Sequence, residues 1–364
     1  MHPTESSRSR HDREGSLFSF AMMARPFCCW PGPMTIPVWQ LETRSRAIYV
    51  QGHDEGRTRL SPQSAATGIG DAARREPSTL SGTATTLLFG GAAAGVIALH
   101  LATNGTLGFH TDELYYIDCS RHPALGYVDF PPVVPLLARL ETDLLGISAW
   151  KLRVLPTLLG GFLVAFRGAY VRRLGGTLRF QGIALFIAMA APYLLGANWV
   201  FQTVTFDEVT WMVALYWLLG LIIDGRPRYW PYLGIALGIG LEVKYTIVGL
   251  IAGIGVAVPV TPALRSALRT RYPWMACGIA VLIWAPNLIW QIVEGFPSLE
   301  YISNHRGSGG GPLVYVIEIV VYLLFLLPLW TAGLVSLFRS RLLRPIGIAC
   351  VVPLLLFLFV GKSY

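Results

Sequence analysis

Nine apolar stretches, separated by short polar segments, follow one another along the chain from residue 83 to residue 360. Several are shorter than the ~20 residues that span a bilayer as a helix, but flanking residues extend them. The pattern predicts an all-α polytopic membrane protein with about nine transmembrane helices. The predicted spans are 83–103, 154–171, 180–200, 209–223, 230–243, 245–260, 274–292, 312–338 and 345–360.

The stretch 230–260 fits either one long helix or two helices joined by a tight turn at Lys244. Basic residues lie on both sides of it, at Arg226 and Arg228 before and from Arg265 onward after. Under the positive-inside rule both groups lie in the cytoplasm, so the chain crosses the membrane an even number of times between them. The sequence therefore predicts two helices, with Lys244 on the outer face.

The same reasoning sorts the other charges by side. The predicted cytoplasmic ends carry arginines and one acid, Asp224, whereas the opposite side holds eleven acids. These acids are Asp112, Glu113, Asp118, Asp129, Glu141, Asp143, Asp207, Glu208, Glu242, Glu294 and Glu300. Arg167 falls inside the second span near its inner end, where we expect its side chain to snorkel toward the cytoplasm.

Four outward segments therefore converge on one face, around residues 104–153, 205–208, 242–246 and 293–311. The first of them contains a further apolar stretch, 131–145, which is short for a span and would invert every later loop if counted as one. An amphipathic helix lying along the membrane interface fits this stretch better.

Composition agrees with a multi-pass membrane protein, and we expect it in a bacterial plasma membrane with its site on the extracytoplasmic side. The 364 residues are 53% hydrophobic and 14% charged, which is too apolar for a soluble core. The net charge of +8 comes from arginines in the N-terminal region and the short loops, so we expect membrane lipids and no nucleic acid as partners. Residues 1–80 are rich in Ser, Arg, Gly and Pro, and we expect a disordered or misassigned extension before a membrane domain at 81–364.

The polar string "HTDELYYIDCSRHPALGYVDFPPVVPLL", from His110 to Leu137, follows the first span directly. Asp112 and Glu113 are adjacent, so on a helix their side chains diverge by roughly 100° and a division of labour is favoured over a carboxylate dyad. Asp112 shares a helix face with Tyr116. The alternative is that both acids are solvated residues at the start of a short helix capped by Thr111.

This loop resembles the opening extracytoplasmic loop of the protein O-mannosyltransferase and aminoarabinose transferase superfamily, the lipid-phosphate-sugar-dependent glycosyltransferases with the C-type fold. The matching positions are Asp112 with Glu113, Tyr115 with Tyr116, Gly126 with Tyr127, and Asp129 with Pro131 and Pro132. Further matches are "KLRVLPTLLGG", "TFDEVTW", "GLEVKYT", "PNLIWQIVEGFPSLEYISNHRG" and the final "GKSY". Family members usually continue past this point into more helices, so we expect a C-terminal truncation.

The resemblance implies transfer of a sugar from a polyprenyl-phosphate carrier to a protein, lipid or glycan acceptor, usually with inversion. An acceptor hydroxyl needs a positioned base, whereas the departing lipid phosphate needs cations rather than an acid. By resemblance, Asp112 is the expected base, and Glu113 is expected to orient the acceptor or the loop.

The expected substrate-binding residues are Asp129, Tyr116, Asp207, Lys244, His305, Arg306 and Lys362. Lys244 is the main candidate for the lipid phosphate, because the positive-inside rule does not explain a cation on the outer face. A salt bridge to Glu242 or to neighbouring acids is its alternative role, and an N-cap of the fourth span is the alternative for Asp207.

No metal site or cofactor is predicted, because the cysteines, histidines and acids lack ligand spacing; a divalent cation stays open as an alternative. Two other function classes also stay open. One is a transporter or flippase, although such proteins tend to place functional charges near the bilayer midplane. The other is an inactive, truncated scaffold.

Overall fold

A computed structural model describes residues 79–304, 311–323 and 326–360, and these residues form helices and connecting loops without a β-strand. The helices are α1 (Thr79–Thr103), α2 (Thr111–Arg121), α3 (Val133–Leu145), α4 (Ala149–Leu152), α5 (Val154–Arg173), α6 (Leu178–Ala190), α7 (Pro192–Ala197), α8 (Thr203–Asp224), α9 (Tyr229–Val243), α10 (Ile247–Val260), α11 (Pro262–Arg265), α12 (Arg271–Val293), α13 (Pro297–Asn304), α14 (Gly311–Leu323), α15 (Leu327–Arg339) and α16 (Arg344–Val360). The predicted N-terminal extension up to residue 78 lies outside the described residues.

Four helical segments in the described part of the chain are long and apolar enough to cross a bilayer: Gly82–Thr103, Ala149–Arg173, Thr203–Asp224 and Arg271–Val293. Shorter apolar helices cover Leu178–Ala190, Ile247–Val260, Pro312–Val321 and Arg344–Leu358. The predicted class, an all-helical protein with membrane-spanning helices, is confirmed. The count of about nine spans is not confirmed by these criteria.

The turn predicted at Lys244 is present. α9 ends at Val243, Lys244 has extended backbone angles (φ −161°, ψ 138°), and α10 begins at Ile247. The stretch 131–145 is also helical, as α3. Both features agree with the sequence prediction.

Two predicted spans are divided by prolines. The stretch 180–200 breaks at Ala191, which has φ −75° and ψ 112°, because a residue before proline disfavours helical angles and Pro192 follows. The stretch 312–338 divides into α14 and α15, with Pro328 in the first turn of α15. Proline is well placed there, because the N–H it lacks has no partner in a first turn.

Helices α9 and α12 cross at small residues. A Cβ added to Gly234 would lie 2.7 Å from the Cα of Ala276, and one added to Gly238 would lie 3.0 Å from the Cα of Ala280. Lipid tails are as apolar as the helices, so the hydrophobic effect does not drive helices together in a membrane. Close van der Waals contact between backbones at small residues is one way in which they associate there. It brings the C-terminal half of α12 alongside the Lys244 turn.

The acid Asp224, which was predicted among the cytoplasmic arginines, pairs with Arg173 at 2.6 Å. The guanidinium lies over the ring of Tyr216, 4.4 Å from its centroid, and 5.2 Å from that of Tyr229. These contacts tie the ends of α5 and α8 to the start of α9.

The expectation that Arg167 snorkels is wrong. Its guanidinium donates to the carboxylate of Glu208, and both residues are buried between α5 and α8. Since a charge inside an apolar bundle is stabilised mainly by an opposite charge, Arg167 pairs rather than extending to the interface. Glu208 is therefore not in an outward turn, because α8 begins at Thr203.

We predict that Gly234→Ala destabilises the protein by about 1–3 kcal/mol, because the new methyl group overlaps the backbone of Ala276. The matched control is Gly278→Ala on α12, where an added Cβ has no atom within 4 Å and helix propensity favours alanine. Thermal unfolding in detergent measures the difference. Equal melting temperatures for the two variants would contradict the close crossing.

Candidate active site

The first loop (residues 104–153) folds around an aromatic cluster that joins α2 to the start of α8. Tyr116 contacts Phe130 and Phe201, with ring centroids 5.1 Å and 6.0 Å away. Tyr127 lies 5.3 Å from Phe130, and Phe206 lies 5.2 Å from Phe201. The tyrosines of the loop motif therefore form a core, and the acids beside them are held on a packed scaffold.

Helix α2 begins with a capping box. Nδ1 of His110 accepts from the Asp112 N–H at 3.2 Å, and Oε2 of Glu113 accepts from the His110 N–H at 2.8 Å. The N-cap is thus His110 and Glu113 is buried, so the alternative of two solvated acids behind a Thr111 cap is wrong. Two orphan backbone donors are satisfied in this way, which fixes the direction of α2.

Glu113 forms a buried, bidentate ion pair with Arg153. Nε of Arg153 lies 2.8 Å from Oε1 of Glu113, and an NH2 nitrogen lies 2.7 Å from Oε2. Oε1 also accepts from the Phe201 N–H at 3.0 Å. With Glu113 0% and Arg153 1% exposed, the carboxylate has its acceptor sites filled by protein donors.

The remaining donors of Arg153 fix the chain that enters α2. They bond the carbonyls of Asn104 at 2.7 Å, Gly108 at 2.8 Å and Leu107 at 3.4 Å. Our sequence reasoning did not single out Arg153, although the signal was available. Like Lys244, it is a cation on the face predicted to be acidic, immediately before an apolar span.

The side chain of Asp112 is 18% exposed, and its Oδ2 lies 3.9 Å from Nδ1 of His110. Burial raises the pKa of Asp112, the charges of His110 and Lys244 lower it, and the charge of Glu113 raises it. The two residues expected from the sequence to act as base and phosphate ligand, Asp112 and Lys244, therefore lie close enough to interact electrostatically.

Asp207 lies beside the Lys244 turn. Its Oδ2 accepts from Oγ1 of Thr246 at 2.6 Å, and the residue is fully buried. Asp207 is the fifth residue of α8 and Gln202 is the N-cap, so the alternative that Asp207 caps this helix is wrong.

Asp129 forms a second polar centre on the first loop. Its Oδ1 accepts from the hydroxyl of Tyr115 at 3.0 Å. Burial raises the pKa of Tyr301 on α13, and the charge of Asp129 raises it further, so this ring also lies near the carboxylate. Tyr116 is buried, and its raised pKa has burial as the main cause, followed by the charges of Asp112 and then Asp129.

Six of the expected site residues thus lie around the first loop and the Lys244 turn, namely Asp112, Glu113, Tyr116, Asp129, Asp207 and Lys244. His305, Arg306 and Lys362 lie outside the described residues, so their expected roles stay predictions. Among the residues that the structure describes, no group of three or more His, Cys, Asp or Glu could hold a metal ion.

Comparison with known proteins supports the resemblance seen in the first loop. The family described as dolichyl-phosphate-mannose-protein mannosyltransferase matches residues 129–290. A lipid A galacturonosyltransferase of Rhizobium johnstonii is 27% identical over 204 residues, which is 54% of this chain and 41% of the relative. The chain therefore matches less than half the length of that relative. No solved structure matches significantly.

The matched residues 129–290 contain the motifs "KLRVLPTLLGG", "TFDEVTW" and "GLEVKYT". The predicted resemblance to the protein O-mannosyltransferase and aminoarabinose transferase superfamily is confirmed. The chain is a helical protein with apolar helices that could cross a membrane, and part of it is similar to membrane glycosyltransferases of this superfamily.

Removal of one partner of the Glu113–Arg153 pair should destabilise the protein strongly. Glu113→Gln leaves a buried guanidinium without its counter-charge, and we expect a loss of about 3–5 kcal/mol of stability. Asp143→Asn is the matched control, because the Arg139–Asp143 pair on α3 is exposed, and loss of such a pair costs about 0.3–0.5 kcal/mol. Thermal unfolding reports both. Similar losses in the two variants would contradict the role given to the buried pair.

Glu141 joins α3 to the start of α5. Its Oε1 accepts from the Leu155 N–H at 2.6 Å, and the residue is buried. Burial raises the pKa of Glu141 to about 8, although the bond from Leu155 lowers it in part. The native protein therefore retains this proton over a pH range in which the unfolded chain has released it.

A pH dependence follows from Glu141. Its contribution is complete below the unfolded pKa of 4.5 and is lost as the pH rises to about 8. Glu141→Gln keeps the acceptor for Leu155 but cannot ionise, so the variant should gain melting temperature relative to wild type between pH 5 and pH 9. A constant difference across that range would contradict the raised pKa.

Proposed function

We propose that this protein is a membrane glycosyltransferase that moves a sugar from a polyprenyl-phosphate carrier to an acceptor hydroxyl, with Asp112 as the base. The observation that carries the proposal is a pair of hydrogen bonds, from the Phe201 N–H to Glu113 and from Thr246 to Asp207, which join the helix of Asp112 and the Lys244 turn to the same end of α8. A base next to a phosphate-binding cation is what this transfer needs.

The reaction is a single displacement. Asp112 takes the proton of the acceptor hydroxyl as its oxygen bonds the anomeric carbon, and the bond from that carbon to the phosphate oxygen breaks. Lys244 stabilises the negative charge that builds on the departing lipid phosphate. Since acceptor and phosphate occupy opposite faces of the sugar, the configuration inverts. Partial burial, which raises the pKa of Asp112, makes it a stronger base than an exposed carboxylate.

The other site residues take supporting roles in this proposal. Glu113 orients the loop rather than the acceptor, because its oxygens already accept from His110, Arg153 and Phe201. Asp129 offers a carboxylate to the sugar hydroxyls. The ring of Tyr115, whose hydroxyl donates to Asp129, offers an aromatic face to the sugar.

We propose the predicted topology for the whole membrane region: about nine spans, with the site on the extracytoplasmic side of a bacterial plasma membrane. Helix α3 supports an interfacial position for the first loop. Leu136, Leu140 and Leu144 are exposed and spaced four residues apart, so they form one apolar stripe. Such a stripe fits the outer boundary of the bilayer, next to a lipid-linked donor.

The acceptor class to test first is a lipid-anchored glycan, because the curated relative is called a lipid A galacturonosyltransferase. A transporter or flippase is the second candidate, and the buried Arg167–Glu208 pair favours it, since charges inside the bundle are typical of transport proteins. The two functions differ in outcome, because a flippase moves the donor without forming a glycosidic bond.

We expect Asp112→Asn to reduce sugar transfer by roughly 10²–10⁴-fold, the usual contribution of a general base. Asp118→Asn is the matched control, an exposed acid on the same helix, and should retain transfer. The measurement is incorporation of radiolabelled sugar from a panel of polyprenyl-phosphate sugars into membranes that contain each variant. Equal incorporation by wild type and Asp112→Asn would remove Asp112 from the mechanism.

A further inference from the structure

The turn that carries Lys244 is held from more than one side. The Lys244 N–H donates to the carbonyl of Gly240 at 2.9 Å, which continues the hydrogen bonding of α9 by one residue. The next two residues, Tyr245 and Thr246, have side-chain hydroxyls, and each hydroxyl bonds a different helix. The backbone of Lys244 is thus restrained by its immediate neighbours.

Tyr245 connects the turn to α12 through a buried polar group. Its hydroxyl donates to Oδ1 of Asn287 at 2.9 Å and accepts from Nε2 of Gln291 at 2.7 Å. The hydroxyl of Ser298 lies 3.4 Å away and also accepts from Gln291 at 2.6 Å. Asn287, Gln291 and Ser298 are at most 4% exposed, so these bonds form away from water and fix directions strongly.

The same polar group also binds the first loop. Nδ2 of Asn287 donates to the carbonyl of Leu125 at 3.0 Å, and the hydroxyl of Ser298 donates to the carbonyl of Tyr127 at 3.3 Å. Between these two carbonyls, Gly126 packs so closely that a Cβ would lie 2.6 Å from the Asn287 amide. The loop segment before Asp129 and the Lys244 turn therefore share one set of hydrogen bonds.

Thr246 restrains the turn from another direction. Its hydroxyl donates to Asp207 on α8 at 2.6 Å. Just before α8, the Phe201 N–H bonds Glu113, which belongs to the same helical turn as Asp112. A chain of hydrogen-bonded and covalent links thus connects the backbone of Lys244 with that of Asp112.

We propose that Tyr245 and Thr246 are positioning residues that hold Lys244 at a fixed place relative to Asp112. Their hydroxyls act on the lipid phosphate through Lys244 and do not touch it. This inference rests on the proposed role of Lys244 in binding the donor phosphate. A site held only by flexible loops loses binding when a cation moves by about 1 Å. Directional hydrogen bonds on both sides of the turn limit such a displacement of Lys244.

The test is a double-mutant cycle. Tyr245→Phe and Thr246→Val are each made in wild type and in a Lys244→Ala background, and kcat and KM for the polyprenyl-phosphate sugar are measured. In wild type, we expect each change to lower kcat/KM by roughly tenfold, about the value of one hydrogen bond, because Lys244 both binds the donor phosphate and stabilises the charge that builds on it. In the Lys244→Ala background, neither change should lower kcat/KM further.

Controls separate positioning from general damage. Tyr272→Phe, the same substitution at the opposite end of α12, should leave kcat/KM unchanged. Thr246→Ser, which keeps the hydroxyl, should restore the wild-type kcat/KM. Since the Tyr245 and Thr246 changes act through different helices, one remains informative if the other variant fails to fold.

Two results would overturn the inference, and they differ. An equal fall of kcat/KM in both backgrounds means that Tyr245 and Thr246 act independently of Lys244, while the proposed function stands. An unchanged kcat/KM in Lys244→Ala alone removes Lys244 from the handling of the donor phosphate, and the proposed role of Lys244 fails together with the inference.

Discussion

The ion pair between Glu113 and Arg153 is the interaction on which the candidate site depends. It is almost fully buried, and its bonds join the residue after α1, the start of α2, the residue before α5 and Phe201, two positions before α8. Because an unpaired charge in this position would be very costly, the four segments must meet in one arrangement. The pair therefore fixes the first turn of α2, in which Asp112 is the residue next to Glu113.

Much of this arrangement could be predicted from the sequence, because topology is encoded in charge. The arginine clusters required an outward turn at Lys244, and the acids of the first loop followed on the same face. The positions of charges along the sequence do not show which arginine forms an ion pair with which glutamate. Arg153 and Arg167 each bind a glutamate that is 40 or 41 residues away in sequence, and only the packing of α2, α5 and α8 brings them together.

The remaining differences have local physical causes. On hydropathy alone, α6 and α7 form one predicted span, and so do α14 and α15. In the structure, Pro192 and Pro328 lie in the first turns of separate helices, α7 and α15. The buried polar group around Tyr245 was also beyond a sequence reading, since Asn287, Gln291 and Ser298 are ordinary polar residues in or next to an apolar helix. They matter because they are buried and are hydrogen-bonded to one another and to Tyr245.

The close crossing of α9 and α12 bears on how a long lipid could enter. Where two backbones touch through Gly234 and Gly238, neither helix can slide or rotate against the other without steric overlap. The crossing, together with the bonds from Tyr245 to Asn287 and Gln291, keeps the Lys244 turn against α12. For the proposed lipid-linked donor, this leaves entry of the isoprenoid tail to a flank of the bundle other than this seam.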